Sequence, residues 1–228
     1  MAANPPALTV RRNFPRPDPA LVDRFREAAT GAVADANGRR GALAWQVRPI
    51  TNAVRFCGVA LTVRTRPRDN LAAFAALAYA RKGDVLVVAA NAYEEASVAG
   101  DVMLGMARNT GIVALVTDGM VRDVEGLNAV GIPVFARGLT PNAPHRDGPG
   151  AIGEPVTLGG VIVHPGDIVV GDANGVVVIA REAAADVAKG LADVAAREAK
   201  MDAWVREGVS VPPWLEETLA KLGVRHFD

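Results

Sequence analysis

Hydrophobic and polar residues in the middle of the chain follow two different periods. Continuous apolar runs at residues 85–88 and 112–116 are typical of strands buried on both faces, and residues 55–65 are rich in β-branched residues. Between these runs, residues 69–81 and 100–108 space their apolar positions as helices do, with Asp69 predicted to cap the first helix. This alternation predicts an α/β domain built on a helix-covered sheet.

The two flanks of this region predict different structures. Residues 19–37 carry apolar positions at helical spacing up to an Asn-Gly pair, which predicts one helix. Residues 138–153 are rich in Gly, Pro, Asn and Asp, and a loop of this length is usually functional or packed against a neighbour. Four short β segments joined by glycine turns follow, and they predict an antiparallel meander: residues 154–158, 161–163, 168–170 and 176–179.

The C-terminal part of the chain is helical in its pattern. Residues 182–206 place Val187, Leu191 and Val194 on one face of a long helix, and residues 212–222 predict a short final helix. With no internal repeat or linker, we divide the chain into three parts. These are an N-terminal lead (1–18), one α/β domain (19–181) and a helical extension (182–228) that packs on the same domain or on a neighbouring subunit.

Composition and charge exclude several classes of protein. The 228 residues are 50% hydrophobic and balance 25 basic against 25 acidic side chains, far from the composition of a disordered chain. No apolar run is long enough to cross a membrane, and prolines interrupt the start where a secretory signal needs an apolar core. We therefore expect a soluble, cytoplasmic protein without a membrane partner. Dispersed arginines without a recognition motif also argue against nucleic acid as a partner.

Several familiar catalytic sites are also excluded. The single cysteine, Cys57, rules out an internal disulfide and cysteine-based zinc sites. Residues 148–153 fit GxGxxG, but a proline interrupts the pattern and a strand follows it. Neither serine lies in GxSxG, and the three histidines lack metal-ligand spacing. The four lysines lie beside a turn glycine or in charged helices, which argues against an imine-forming enzyme.

The first candidate site follows the strand that precedes Gly100. If Asp101 begins a helix, the amides of Val102, Met103 and Leu104 have no partner within the helix and would bind a small carboxylate. The alternative is that Asp101 is a plain helix N-cap.

The second candidate site is the pair Arg122 and Asp123, between a buried strand and a helix predicted at residues 123–130. Asp123 would hold a hard divalent metal, and Arg122 would bind an anionic substrate oxygen. Magnesium commonly takes only one or two protein carboxylates and completes its shell with water and substrate, so a sparse site is compatible with it. The alternative is a surface ion pair in which Asp123 caps the helix.

Four motifs over residues 20–205 together resemble a known family. They are Gly100-Asp101-x-x-Leu104, Thr117-Asp118-Gly119-x-Val121-Arg122-Asp123, Gly131-Ile-Pro-Val-Phe135-Ala, and Gly159-Gly-Val-x-Val-x-Pro165-Gly-Asp167-x-Val-x-Gly-Asp172-x-x-Gly175-Val-Val-Val. The chain resembles the class II pyruvate aldolases that cleave 4-hydroxy-4-methyl-2-oxoglutarate and 4-carboxy-4-hydroxy-2-oxoadipate, which are similar to the regulator of ribonuclease activity A.

The resemblance implies an α/β/β swivelling-type domain with a central mixed sheet, an antiparallel meander and C-terminal helices. It implies trimers or hexamers with sites between subunits. The resemblance also implies roles for individual residues. Asp123 ligates Mg²⁺ or Mn²⁺ through a water shell, and Arg122 contacts the pyruvyl oxygens. The pyruvyl carboxylate is held by Gly100 and by the backbone of Val102, Met103 and Leu104, while Asp101 lies near the catalytic water and Glu198 comes from the adjacent subunit.

The function implied is a metal-dependent aldolase that cleaves a 4-hydroxy-2-oxo di- or tricarboxylic acid to pyruvate and a 2-oxo acid. Oxaloacetate decarboxylation would follow at the same site, because both reactions pass through pyruvate enolate. A relative with the same site could act on another 2-oxo acid. The rival function is a non-catalytic regulator that binds a ribonuclease; such regulators lack the aspartate after the arginine and the long C-terminal helices.

Overall fold

The computed structural model describes residues 6–227. It confirms a mixed α/β domain with a central mixed sheet, antiparallel strands and C-terminal helices. The strands are β1 (Leu8–Val10), β2 (Arg48–Pro49), β3 (Phe56–Thr65), β4 (Asp84–Ala89), β5 (Ser97–Ala99), β6 (Ala114–Thr117), β7 (Met120–Val121), β8 (Val134–Ala136), β9 (Gly138–Leu139), β10 (Gly150–Ile152), β11 (Val156–Leu158), β12 (Val161–Val163), β13 (Ile168–Asp172) and β14 (Gly175–Ile179). The helices are α1 (Pro19–Asp23), α2 (Thr30–Ala36), α3 (Leu71–Ala76), α4 (Asp101–Asn109), α5 (Val124–Val130), α6 (Ala184–Arg206) and α7 (Leu215–Leu222), and a 3₁₀ turn covers Leu77–Tyr79.

The central sheet has the order β1-β10-β3-β4-β6-β8-β2. Strands β3, β4, β6 and β8 are parallel neighbours, whereas β10 and β2 run antiparallel to β3 and β8. Strand β3 is long enough to pair with two strands on one edge, with β13 along its first half and with β10 along its second half. Because these four strands are parallel, their C-terminal ends lie together at one end of the sheet, next to β5 and β7.

Both faces of the central strands are buried, as their continuous apolar runs predict. Leu86 and Val88 of β4 pack with the helix side chains Met103, Leu104 and Leu127 on one face. Their neighbours in the strand alternate to the other face, where they meet the side chains of β11, β12, β13 and β14. A third cluster holds α1, α2 and the start of α6 against β13 and β14.

The predicted single helix over residues 19–37 is wrong, because two short helices occupy this segment. The reason lies far away in the sequence, at the buried Asp172. Its carboxylate accepts hydrogen bonds from the Thr30 amide at 2.8 Å and the Thr30 hydroxyl at 2.7 Å, so a new helix begins at Thr30. The predicted helix over residues 69–81 is also shorter. It begins after Asn70, although Asp69 does accept a hydrogen bond from the Leu71 amide at 2.9 Å.

Residues 138–153 are not wholly a loop, and the meander is divided. The segment contributes β9 and β10, and β10 lies inside the central sheet between β1 and β3. Gly150 permits this position, because a Cβ there would lie 2.5 Å from the Cβ of Ala72. The four predicted antiparallel segments form two separate hairpins, β11 with β12 and β13 with β14, and only the second joins the central sheet.

The C-terminal helices differ in how far they pack on the domain. The first half of α6 contacts α1 and α2 and buries Val187 and Val194. Residues 195–202 are all exposed, and α7 buries no side chain in this chain. Within residues 6–227, no helix has both the length and the apolar character needed to span a membrane.

Candidate active site

A small parallel sheet brings the two candidate segments together. It has the order β5-β7-β9 and pairs Ala99 of β5 with Val121 of β7. The Arg122 amide donates a hydrogen bond to the Ala99 carbonyl at 3.1 Å. Because β5 and β7 run in the same direction, the residues that follow them, Gly100 and Arg122, leave the sheet side by side.

Gly100 makes room for the Arg122–Asp123 pair. A Cβ at residue 100 would lie 2.4 Å from Oδ2 of Asp123 and 3.2 Å from Nε of Arg122, so only glycine allows this approach. Asp123 has φ +60°, a left-handed conformation that costs free energy in a non-glycine residue and often marks a functional site. The carboxylate of Asp123, a residue in a left-handed conformation, therefore lies close to the backbone at residue 100.

Arg122 and Asp123 contact each other but keep polar atoms for a ligand. Nε of Arg122 donates to Oδ2 of Asp123 at 3.1 Å, and no described residue accepts from the two terminal nitrogens of this arginine. Asp123 stands at the N-cap position of α5, yet its side chain makes no capping hydrogen bond. The side chains are 37% and 42% exposed, so both reach solvent at the cavity described below. Asp123 therefore has the N-cap position and the ion pair that the alternative predicts, but its side chain does not cap the helix.

The N-terminus of α4 agrees with the prediction in part. Asp101 begins the helix as predicted, and Gly100 rather than Asp101 is the N-cap, so the N-cap alternative for Asp101 is wrong. The Leu104 amide donates to the Gly100 carbonyl at 3.0 Å, and the Val102 amide donates to Oδ1 of Asp101 at 2.7 Å. Among the described residues only the Met103 amide of the predicted three lacks a partner, so it is the one open to an anion.

The Asp101 side chain packs against a second glycine, Gly126. A Cβ at Gly126, on α5, would lie 2.3 Å from Oδ2 of Asp101 and 2.6 Å from its Cβ. Helices α4 and α5 therefore approach closely at this point, with the aspartate lying on the bare backbone of the facing helix. Asp101 and Asp123, carried by different elements, both lie beside the same opening.

A cavity of about 190 Å³ collects most of the predicted site residues. It is lined by Gly100, Asp101, Val102, Met103, Arg122 and Asp123 together with Asn70, Phe74, Ser97, Ala99, Pro144 and Arg146. Two predicted residues are not part of it. The Leu104 side chain is buried in the core, and Glu198 is exposed on the second half of α6.

Three polar residues of the cavity, Asn70, Ser97 and Arg146, were not predicted, and Asn70 and Arg146 have groups that a ligand could use. Asn70 is 3% exposed, and its Nδ2 donates to the Val98 carbonyl at 2.9 Å while the buried Oδ1 has no partner. The Arg146 guanidinium lies 5.1 Å from the ring centroid of Phe74. A signal existed for both, because Asn70 follows β3 at the edge where parallel strands end, and Arg146 lies in the long Gly- and Pro-rich segment.

The side chains of this cavity suit one hard cation that takes few protein ligands. The described residues contain no group of three or more histidine, cysteine or carboxylate side chains that would enclose a metal. The Asp123 carboxylate, partly exposed at the cavity, suits a divalent ion that keeps most of its water shell.

Comparisons with known proteins identify the family of this chain. The profile of the RraA-like family, described as aldolase/RraA, matches residues 20–178. The chain belongs to the RraA-like family. A protein of Halalkalibacterium halodurans named "Putative 4-hydroxy-4-methyl-2-oxoglutarate aldolase" is 38% identical over 159 residues, which cover 70% of this chain and 76% of that one.

Solved structures have the same fold. An uncharacterized protein from Pseudomonas syringae superposes with a TM-score of 0.76 at 25% identity, covering 86% of this chain and 96% of that one. The RNA-processing inhibitor RraA from Thermus thermophilus superposes with a TM-score of 0.63 at 28% identity, covering 67% and 93% of the two chains. The family thus includes proteins named as an aldolase and as an RNA-processing inhibitor.

Proposed function

We propose that this protein is a divalent-metal-dependent carbon–carbon lyase. It cleaves a 4-hydroxy-2-oxo di- or tricarboxylic acid, such as 4-hydroxy-4-methyl-2-oxoglutarate, to pyruvate and a 2-oxo acid, and it decarboxylates oxaloacetate at the same site. The observation that carries this proposal is the pair Arg122 and Asp123 held against Gly100 beside the open Met103 amide. The relative named as an aldolase supports the reaction class.

The pyruvyl end of the substrate has matching donors in the cavity. The Met103 amide at the start of α4 donates to the C1 carboxylate, where the positive end of the helix dipole favours an anion. The terminal nitrogens of Arg122 donate to the C2 oxygen, which becomes the enolate oxygen when the C3–C4 bond breaks. Asp123, with its water shell, would hold Mg²⁺ or Mn²⁺, which when bound supplies positive charge beside that oxygen.

Asp101 is the candidate for moving the proton. Cleavage requires loss of the proton from the C4 hydroxyl, and the electrons of the C3–C4 bond then pass to the C2 carbonyl. The Asp101 carboxylate, which lines the cavity, accepts this proton through a water molecule and returns it to C3 of the enolate. For oxaloacetate the C3–carboxylate bond breaks instead, carbon dioxide leaves, and the same enolate is formed.

The far side of the cavity suits a second acid group. Arg146 brings a cation whose guanidinium lies 5.1 Å from the ring centroid of Phe74, and Asn70, whose buried Oδ1 has no partner among the described residues, lines the same cavity. A 4-hydroxy-2-oxo diacid has a hydroxyl and a second carboxylate at that end. We therefore assign the distal carboxylate to Arg146 and the C4 hydroxyl to Asn70.

Glu198 acts, in this proposal, in a neighbouring subunit. Within one chain it is exposed and does not line the cavity. The exposed second half of α6 would bring it to the site of the next protomer in a trimer or hexamer.

The proposal is tested by pyruvate release over a panel of 4-hydroxy-2-oxo acids and oxaloacetate. We expect release with Mg²⁺ or Mn²⁺, loss of release in excess chelator, and recovery on addition of the metal. Borohydride with substrate should leave the protein unlabelled. Full turnover in excess chelator, or trapping at a lysine, would contradict the proposed mechanism.

The second candidate function is regulation of a ribonuclease by contact. Its support is the fold shared with the RNA-processing inhibitor of Thermus thermophilus. An RNA-cleavage assay with added protein distinguishes the two candidates. Dose-dependent inhibition that persists in an Arg122→Ala variant, together with no pyruvate release from any acid of the panel, would favour the regulator.

A further inference from the structure

A second cavity of about 370 Å³ lies at the N-terminal ends of the parallel strands β3 and β4, whereas the candidate site lies at their C-terminal ends. Its wall includes Gly83, directly before β4 begins, and Cys57 and Val59 in the first half of β3. The candidate site lies beyond the other ends of these parallel strands, where Asn70 follows β3. The two cavities therefore share no lining residue.

More cationic than acidic side chains line this second cavity. Arg16, Arg26, Arg81 and Lys82 all line it. Two of them are neutralised, since Arg16 forms a bidentate ion pair with the buried Asp84 and Arg26 pairs with Asp23 at 2.5 Å.

The other two cations are available. No ion pair among the described residues includes Arg81 or Lys82, and both residues are exposed. The rim thus carries a net positive charge, because no acidic side chain of residues 6–227 forms an ion pair with Arg81 or Lys82.

The floor of the cavity is apolar. Val22 is buried, and Val59 and the two prolines Pro17 and Pro19 add hydrocarbon surface. Burial raises the pKa of the Cys57 thiol to about 12, and the thiol donates to the Val22 carbonyl at 3.4 Å, so it stays a neutral part of the floor. An apolar floor under a cationic rim is the chemistry that recognises an anion with a hydrocarbon body.

We propose that this second cavity binds an amphipathic carboxylate with an alkyl body, that is, a medium-chain fatty acid. Its charged group lies between Arg81 and Lys82, and its hydrocarbon lies on Val22 and Val59. This site is separate from the proposed lyase site and does not depend on the proposed function.

The test is calorimetric titration of the full chain with octanoate and with its uncharged analogue octanamide. We expect saturable binding of octanoate and much weaker binding of octanamide. Arg81→Glu and Lys82→Glu should each weaken octanoate binding by about tenfold, as expected for loss of a charge-assisted contact. The matched control Arg40→Glu reverses an exposed arginine outside the cavity and should leave the affinity unchanged.

Two further measurements make the result decisive. Arg122→Ala should bind octanoate like the wild type, because the candidate site is elsewhere; weaker binding in this variant would overturn the assignment. Thermal unfolding checks that each variant is folded. If Arg81→Glu is not folded, Arg81→Gln takes its place in the titration. Absence of octanoate binding, equal binding of octanamide, or affinity unchanged by both rim substitutions would also overturn the proposal.

Discussion

Gly100 and Gly126 each leave space for a carboxylate that any larger residue would displace. The backbone at Gly100 touches the Asp123 carboxylate, and the backbone at Gly126 touches that of Asp101. At the residue scale, Asp123 and Asp101 can therefore take their positions because residues 100 and 126 have no side chain.

Gly100→Ala should leave the protein folded and lower kcat/KM by about 100-fold or more, because displacing a catalytic group by about 1 Å is enough for such a loss. The matched control is Gly105→Ala in the same helix. A Cβ there would meet only Val130 Cγ2 at 3.9 Å, so activity should be retained and the free energy of unfolding should rise by about 0.5–1 kcal/mol. Wild-type turnover in Gly100→Ala would contradict the assigned geometry.

Arg146→Ala should raise KM for a 4-hydroxy-2-oxo diacid by about 10- to 100-fold, the usual range for loss of a charged hydrogen-bond donor. A 4-hydroxy-2-oxo monoacid lacks the distal carboxylate and serves as the control substrate. Steady-state kinetics with both compounds separates the two roles. An equal effect on diacid and monoacid would show that Arg146 does not bind the second carboxylate.

At the scale of elements, the start of α2 depends on Asp172 in the hairpin β13–β14. Burial opposes ionisation of this carboxyl group, but hydrogen bonds from Thr30 and Asn174 outweigh it and hold the pKa of Asp172 below its usual value of 3.8. A lowered pKa means that the ionised form stabilises the fold. This contribution is fully present above pH 3.8 and is lost as the pH falls through the folded-state pKa.

Asp172→Asn should therefore lower the free energy of unfolding by about 1–3 kcal/mol at neutral pH, since it removes charge-assisted hydrogen bonds from a buried group. Denaturant unfolding of wild type and variant across pH measures this difference. It should shrink as the pH falls below 3.8. A difference that is constant with pH would show that the charge of Asp172 is not what stabilises α2.

Local patterns predicted the elements that local sequence determines. The buried strands β3, β4 and β6 and the helix α4 follow from apolar periodicity and from Gly100-Asp101 at the helix start. The break between α1 and α2 could not be predicted, because the Asp172 carboxylate that begins α2 lies 142 residues away. For the same reason the site was predicted only in part. Arg122 and Asp123 are neighbours in sequence, whereas Asn70 and Arg146 reach the cavity through pairing of distant strands.

At the scale of the whole molecule, α6 and α7 present a surface that one chain leaves uncovered. Met201 is 51% exposed, Val205 73% and Leu222 78%, although all three are apolar. Residues 195–202, which include Glu198, are exposed on the same helix. An assembly in which α6 covers a neighbouring protomer would bury such apolar side chains and supply Glu198 to that protomer's cavity.

Mixed oligomers test this shared site. Asp123→Asn and Glu198→Gln should each be weakly active alone, yet oligomers made by co-expression should regain activity, because some interfaces combine both intact residues. Tagged subunits purified in tandem confirm that the oligomers are mixed. Verified mixed oligomers no more active than either parent, or a fully active monomer, would contradict a contribution of Glu198 in trans.

The central claim is that one site stabilises pyruvate enolate in both reactions. It is tested most directly by pyruvate release from 4-hydroxy-4-methyl-2-oxoglutarate and from oxaloacetate, measured side by side in wild type and Arg122→Lys with Mg²⁺ present. Lysine keeps the charge but loses the planar guanidinium, so we expect kcat to fall by about 100- to 1000-fold for both substrates, the usual cost of losing one oxyanion donor. Oxaloacetate decarboxylation that survives in this variant while aldol cleavage is lost would contradict the account.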